Sequence, residues 1–551
     1  AGGALTTGDT SVAVGFEALL TEDTNSENTA IGYQALKTQN GADGNTAVGM
    51  RAGLDLTTGA NNTFVGAETA ANVTTGLDNV MMGKAAGVTA TTSSGSVFIG
   101  RSAGNAVTTG NQNIAIGKDA MAGAATTGDR NIVIGREAGR LLTSGHSNVL
   151  IGDEAATNIT TARENVVIGK GAYANANTSE NFAVVVGYNA ANNVDGIDNV
   201  VAIGHSALST MVAVDGNVAV GFEAGKVTTG ANNTYVGFKA GKGASGADAG
   251  NIAVGSNALL SITDGENNVA IGYLALDALT SGVLNVAIGT SALSAFNGNS
   301  SVAVGREALR NLNSGDADGT VAVGTGAGAN ITSGQANVMI GHQSLDANET
   351  SDYNTAVGYQ SLSAVNGNGD GGNTAVGFKA GFAITDGIYN TVVGRTAGFA
   401  ITTGQKNTIM GSEAGKALVD GDDNVIIGDG AGDATADTSG SVLIGAHAGG
   451  SMANGANANT FIGYNAGAND GTMTGDSNVA IGYNTAKTLT SGKNNTIMGA
   501  GAAVAHTTGE KNVFIGQGTV AANTGLDNCT IVGRGCTGNN GASHEFVYGS
   551  G

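Results

Sequence analysis

Six histidines, His146, His205, His342, His447, His506 and His544, are the first candidates for acid–base or metal chemistry in this chain. They fall at unequal repeat positions, and no His-Glu-x-x-His pair, nucleophile elbow or P-loop phrase accompanies them. Gly324-Thr325-Gly326-Ala327-Gly328 has the outline of a phosphate loop, but 93 glycines make such a match cheap. Asp420, Asp422 and Asp423 could approach a cation; the full Ca²⁺-loop pattern is missing, and a solvated acidic loop accounts for them better. Cys529 and Cys536 are the only cysteines, too few for a zinc framework. A local disulfide and two free thiols are equally compatible with their spacing. No catalytic, cofactor-binding or metal-ligating residue is expected, and the chain reads as non-enzymatic.

Aromatic residues do recur with a pattern. Phe16, Tyr33, Tyr188, Phe222, Phe238, Tyr273, Tyr359, Phe378, Tyr464 and Tyr483 each follow a glycine that closes the same phrase. Lys84, Arg101, Lys118, Arg136, Lys170, Arg306, Arg395 and Arg534 take that place in other copies. Such a column could grip a glycan by ring stacking, or pack against another chain.

The phrase that positions these residues is Asn, a β-branched residue, an apolar residue, Val or Ile, then Gly. Its closing glycine occurs 31 times from Gly15 to Gly533, and 21 of the 30 intervals are 17 residues. A short fixed period over nearly the whole chain defines a solenoid. The fold class expected is all-β: a parallel β-solenoid of about 31 coils of 17 residues over 11–536, with a cap or linker at 1–10 and a tail or cap at 537–551. Proline is absent, as suits backbone N–H groups committed to a ladder, and aromatics are only 4%, so the interior must be thin.

Three residues before the glycine every copy has Val, Ile or Thr, and one residue before it every copy has Val, Ile or Met. Sharing one strand face, these two columns are expected to line the interior. The column between them is also apolar, with Ala in 14 copies, and is expected to face outward. A strand apolar on both faces is buried on both, so lateral association with further copies should cover that outer column. Four residues before the glycine, 23 copies have Asn. Asn28, Asn45, Asn62 and Asn79 are read as a structural amide ladder at one corner, with Gly32, Gly49, Gly66 and Gly83 at the other. Three residues after the glycine, 25 copies have Ala, which marks a second tight contact. The apolar copies around Phe182–Val186 and Val200–Ile203 suggest bulged or lengthened strands.

A net charge of −21 repels phosphate backbones, so nucleic-acid binding is not expected, and no segment is long and apolar enough for membrane insertion. Copies such as Ser11-Val12-Ala13-Val14-Gly15-Phe16-Glu17-Ala18 and Asn268-Val269-Ala270-Ile271-Gly272 resemble the head repeats of trimeric YadA-type adhesins. Gly32-Tyr33-Gln34-Ala35-Leu36 and Gly358-Tyr359-Gln360-Ser361-Leu362 look still more like repeats of phage tail-fibre proteins. The resemblance implies a left-handed β-roll in a side-by-side homotrimer, open to higher fibre assembly. It also implies an extracellular place, on a virion or cell surface, and attachment to a surface glycan or receptor. Two other functions are weighed against it. A polysaccharide-degrading β-helix enzyme needs clustered acids and bases. An ice-binding solenoid needs a flat Thr array, whereas tandem loop threonines such as Thr57-Thr58, if extended, point to opposite sides.

Overall fold

The computed structural model describes residues 2, 3, 10–21, 27–176, 179, 181–194, 198–211, 215–243, 246, 248–314, 318–367, 369–469, 471–520, 524–538 and 544–549. Most of the expected start, 1 and 4–9, and part of the expected tail, 539–543 with 550 and 551, lie outside these residues. The chain divides into two compact units, Ala1–Ile271 and Gly272–Gly551. Each is a parallel β-solenoid of sixteen three-residue strands, about one every 17 residues, and the described residues contain no helix. In the first unit the strands run from Val12–Val14 to Val269–Ile271, and in the second from Val286–Ile288 to Phe546–Tyr548.

Successive strands pair residue for residue: Thr29 faces Thr46, Ala30 faces Ala47 and Ile31 faces Val48. Identical positions therefore stack into columns. The 16-, 18- and 19-residue spacings leave that register intact, because the extra residues go into the loop. At Asn366–Asn373 the insertion even builds a small ladder of its own, with Gly369–Asp370 paired to Ser351–Asp352.

The two strand faces are the reverse of the expectation. The middle column is the interior: Ala30, Ala47, Phe64, Met81 and Phe98 are fully buried. The flanking columns point out, and residues just before the glycine, such as Ile31, Met82, Ile168 and Ile340, are 36–42% exposed. The physical reason is volume. Each coil is closed by the buried Ala three residues after the glycine and the residue after that, Leu36 in one copy and Gly53 in the next. A space this narrow accepts Ala opposite Leu, or Phe opposite Gly. Any Cβ on Gly53 would press on Leu36 and Phe64, and one on Gly104 would enter the Phe98 ring.

Two smaller expectations also change. The copies at Val184–Val186 and Val201–Ile203 are ordinary three-residue strands in unbroken register, with no bulge; buried Ala183 and Val200 simply stand where Asn usually does. Phe546–Tyr548, assigned to the tail, is one more rung, pairing in parallel with Thr530–Val532. Gly549 closes that phrase 16 residues after Gly533.

Three corners of the coil use left-handed backbone at non-glycine residues, as at Glu27 (φ 68°), Gln34 (φ 56°) and Leu36 (φ 48°). Each costs some local strain, repaid by stacking. Gly32 has φ 141°, and a Cβ there would run into the carbonyl of Gly49, so this column excludes side chains on two counts.

Candidate assembly face and aromatic column

Asn28, Asn45, Asn62 and Asn79 are wholly buried and hydrogen-bonded in series. The Asn62 amide Nδ2 donates to Oδ1 of Asn45 (3.0 Å) and to the Gly76 carbonyl (2.9 Å). Its own Oδ1 accepts from the backbone N–H and Nδ2 of Asn79, both at 3.0 Å. Nothing on these amides is left to bind a ligand, so the ladder holds the corner. A second ladder, missed in the sequence, lies outside on the residue six before the glycine. There a side chain accepts from the backbone N–H one rung back: Asn111 from Ser94 (2.9 Å), Asp129 from Asn111 (2.6 Å), Asp422 from Gln405 (2.7 Å). The Asn and Asp residues of the loop carry this signal, which looks like ordinary turn chemistry until the rungs are stacked.

The ten aromatic residues are all exposed, nine of them in short stacked blocks. Phe16 and Tyr33 stack at 5.5 Å, and Tyr464 and Tyr483 at 5.6 Å. Two histidines join the column: Tyr188, His205, Phe222 and Phe238 form one run at 5.0–5.3 Å, and His342, Tyr359 and Phe378 another at 5.2–5.4 Å. Each of these histidines directly follows a closing glycine, Gly204 or Gly341, a signal of column membership that metal-ligand spacing does not carry. Tyr273 stands apart, stacking on no ring among the described residues. A ring in the middle of a block has both faces covered by its neighbours, whereas a ring at the end of one has a single stacked face. Sugar stacking needs a free face, which Phe222 and Tyr359 lack and which the rings at the block ends keep on one side.

Between the first two aromatic blocks the column turns ionic. Arg136 bridges Asp153 (2.8 Å), Glu154 (2.5 Å) and Glu137 (2.9 Å), and Lys170 reaches Asp153 at 3.6 Å. The Arg136 hydrogen bond holds the Asp153 carboxyl below its usual range. In the acidic loop, Oδ1 of Asp420 accepts from the hydroxyls of Thr403 and Thr402, both at 2.7 Å, which lowers its pKa. No group of three His, Cys, Asp or Glu among the described residues is arranged to hold a metal ion. Cys529 and Cys536 are buried and unbridged. No helix among the described residues is long and apolar enough to cross a membrane.

The outward strand face repeats on the paired strands of each unit. It presents two ranks per rung in register, Val, Ile or Thr beside Val, Ile or Met, from Val12–Val14 to Thr530–Val532, and Phe beside Tyr on the last rung. No protein-family model matches the sequence, and a search of curated proteins gives no match.

Proposed function

We propose that this protein is a non-enzymatic fibre component that associates side by side with copies of itself, as a homotrimer, and serves attachment at a virion or cell surface. The observation that carries the reading is the outward face of Val, Ile, Thr and Met on the rungs from Val12–Val14 to Thr530–Val532. Isolated apolar side chains are normal on a surface, but a continuous stripe exceeds the roughly 300–600 Å² of the largest patch on a typical monomer. A second and third copy would cover it. The resemblance to trimeric adhesin and tail-fibre repeats supports the number three and the extracellular setting. Native mass spectrometry tests the assembly: a particle at three times 53.6 kDa is expected, and a stable monomer would overturn it.

One observation favours a second reading, ice binding. Thr355, Thr374, Thr391 and Thr408 stand on successive rungs of the outward face, two residues from Val357, Val376, Val393 and Met410. Ranks about 4.8 Å apart along the stack and roughly 6.6 Å across the strand form a regular lattice of methyls and hydroxyls. The loop threonines contribute less. Thr57 and Thr58 lie in a bend, both exposed rather than on opposite sides, and the Thr57 hydroxyl is spent on the Thr74 carbonyl at 3.0 Å. Thermal hysteresis of the monomeric fraction separates the readings, since a face covered by other copies cannot meet ice.

A further inference from the structure

We infer that the groove beside Phe238 binds a carboxylated sugar. Phe238 ends its aromatic block. Phe222 stacks on one face at 5.3 Å; beyond the other the next rung places the small Ser256, not a ring, and only the Lys239 ammonium lies over that face. The ring is 47% exposed. With Lys239, Lys242, Gly243, Asn257, Leu260 and Ser261 it lines an open groove of about 570 Å³, within the size range of small-ligand sites.

The charge of this groove runs against that of the chain. Lys226 and Lys242 share one carboxylate, Glu223, at 2.6 and 3.0 Å. The Lys239 ammonium lies 4.9 Å from the Phe238 ring centroid and pairs with no carboxylate among the described residues. Three ammoniums to one carboxylate leave a local positive excess in a protein of net charge −21. A sugar carboxylate can draw the flexible Lys239 ammonium off the ring and towards Lys242, and the apolar C–H face of the pyranose then takes its place on Phe238, beside Leu260. Asn257 and Ser261 supply polar groups for the sugar hydroxyls. A neutral sugar forgoes the ammonium contacts, and a small anion forgoes the ring.

This deepens the attachment reading by naming a ligand class for it. The test is titration calorimetry of the full chain with oligogalacturonate, sialyllactose and neutral maltohexaose. Binding of either acidic sugar is expected, and the one that binds identifies the source of the carboxylate; maltohexaose should not bind. Phe238→Ala and Lys242→Ala should each weaken binding by about tenfold or more. Tyr359→Ala, which removes a ring from the middle of another block, should leave it unchanged. Absence of acidic-sugar binding, equal binding of maltohexaose, or an equal loss in Tyr359→Ala would overturn the assignment. Native mass reports on assembly independently, so a trimer that ignores acidic sugars refutes the groove alone.

Discussion

At the scale of single residues, the chemistry of this chain is spent on stacking. Asn62→Ala removes the acceptor for two donors of Asn79 and uncaps the Gly76 carbonyl. Each buried polar group left without a partner costs about 1–3 kcal/mol. Amide hydrogen exchange at Asn79 should accelerate at least tenfold, about 1.4 kcal/mol of local opening, while rungs far along the stack stay protected. The buried pair Tyr235–Asp248 gives a pH-dependent case. The Tyr235 hydroxyl donates to Asp248 Oδ2 at 2.5 Å, and burial pushes the Asp248 carboxyl up to about 6. A folded pKa raised above the unfolded value of 3.8 means the folded state holds this proton more tightly. Stability from this site is therefore greatest below about pH 4 and falls as pH rises through about 6, by at most about 3 kcal/mol. Exchange at Thr229 and Gly230, whose N–H groups bond Asp248, should report the fall between those pH values. Asp248→Asn should flatten it, and an unchanged profile would show that the carboxyl does not titrate there. Glu223 has the opposite sign: the Lys226 hydrogen bond holds its carboxyl down to about 2, so its contribution is present above the ordinary carboxylate range and lost in stronger acid.

At the scale of the coil, the period, the register and the corner residues were legible in sequence because each is a statement about one column. The assignment of strand faces was not, because it depends on two columns at once. β-Branched residues suit a stacked sheet on either face, so finding Val and Ile at both flanking positions carries no direction. The deciding signal is the exchange of volume across the interior: Ala30 with Leu36, but Phe98 between Gly87 and Gly104. The misread Phe546–Tyr548 rung has a similar cause. Its glycine was in place, but Glu545, Phe546 and Tyr548 depart from the phrase, while pairing depends on backbone spacing rather than on those side chains. Volume exchange makes its own prediction. Gly104→Leu alone should destabilise its unit by several kcal/mol through overpacking against Phe98, and Phe98→Ala alone by about 3–5 kcal/mol through a cavity. The double variant should recover most of the loss in denaturant melts. Additive losses would mean that the two columns do not share one space.

At the scale of the whole molecule, the reversal of the faces sharpens the assembly argument. Ala on an outer face would have offered close backbone approach but little apolar area. Val and Ile there offer the area itself, and each such residue already touches its neighbours one rung up and down, which leaves only its outer edge to cover. A seam of this kind draws on apolar burial rather than charge, although the net charge of −21 makes like copies repel. Raising the salt should therefore tighten the assembly: at 1 M the Debye length is about 3 Å, which screens the repulsion while leaving burial intact. Ile134→Lys, Ile151→Lys and Ile168→Lys together place three ammoniums on successive rungs of the outward face without touching the interior. Each rung should keep its fold, because these side chains are already partly solvated. Native mass should drop from three chains to one, with far-ultraviolet circular dichroism and melting temperature little changed. If the variant keeps the mass of the parent, the copies meet elsewhere on the molecule and the stripe needs another cover. If it loses the solenoid signal, the ranks hold up the coil itself, and the measurement to make is then exchange protection of the strands Ile132–Ile134, Val149–Ile151 and Val166–Ile168.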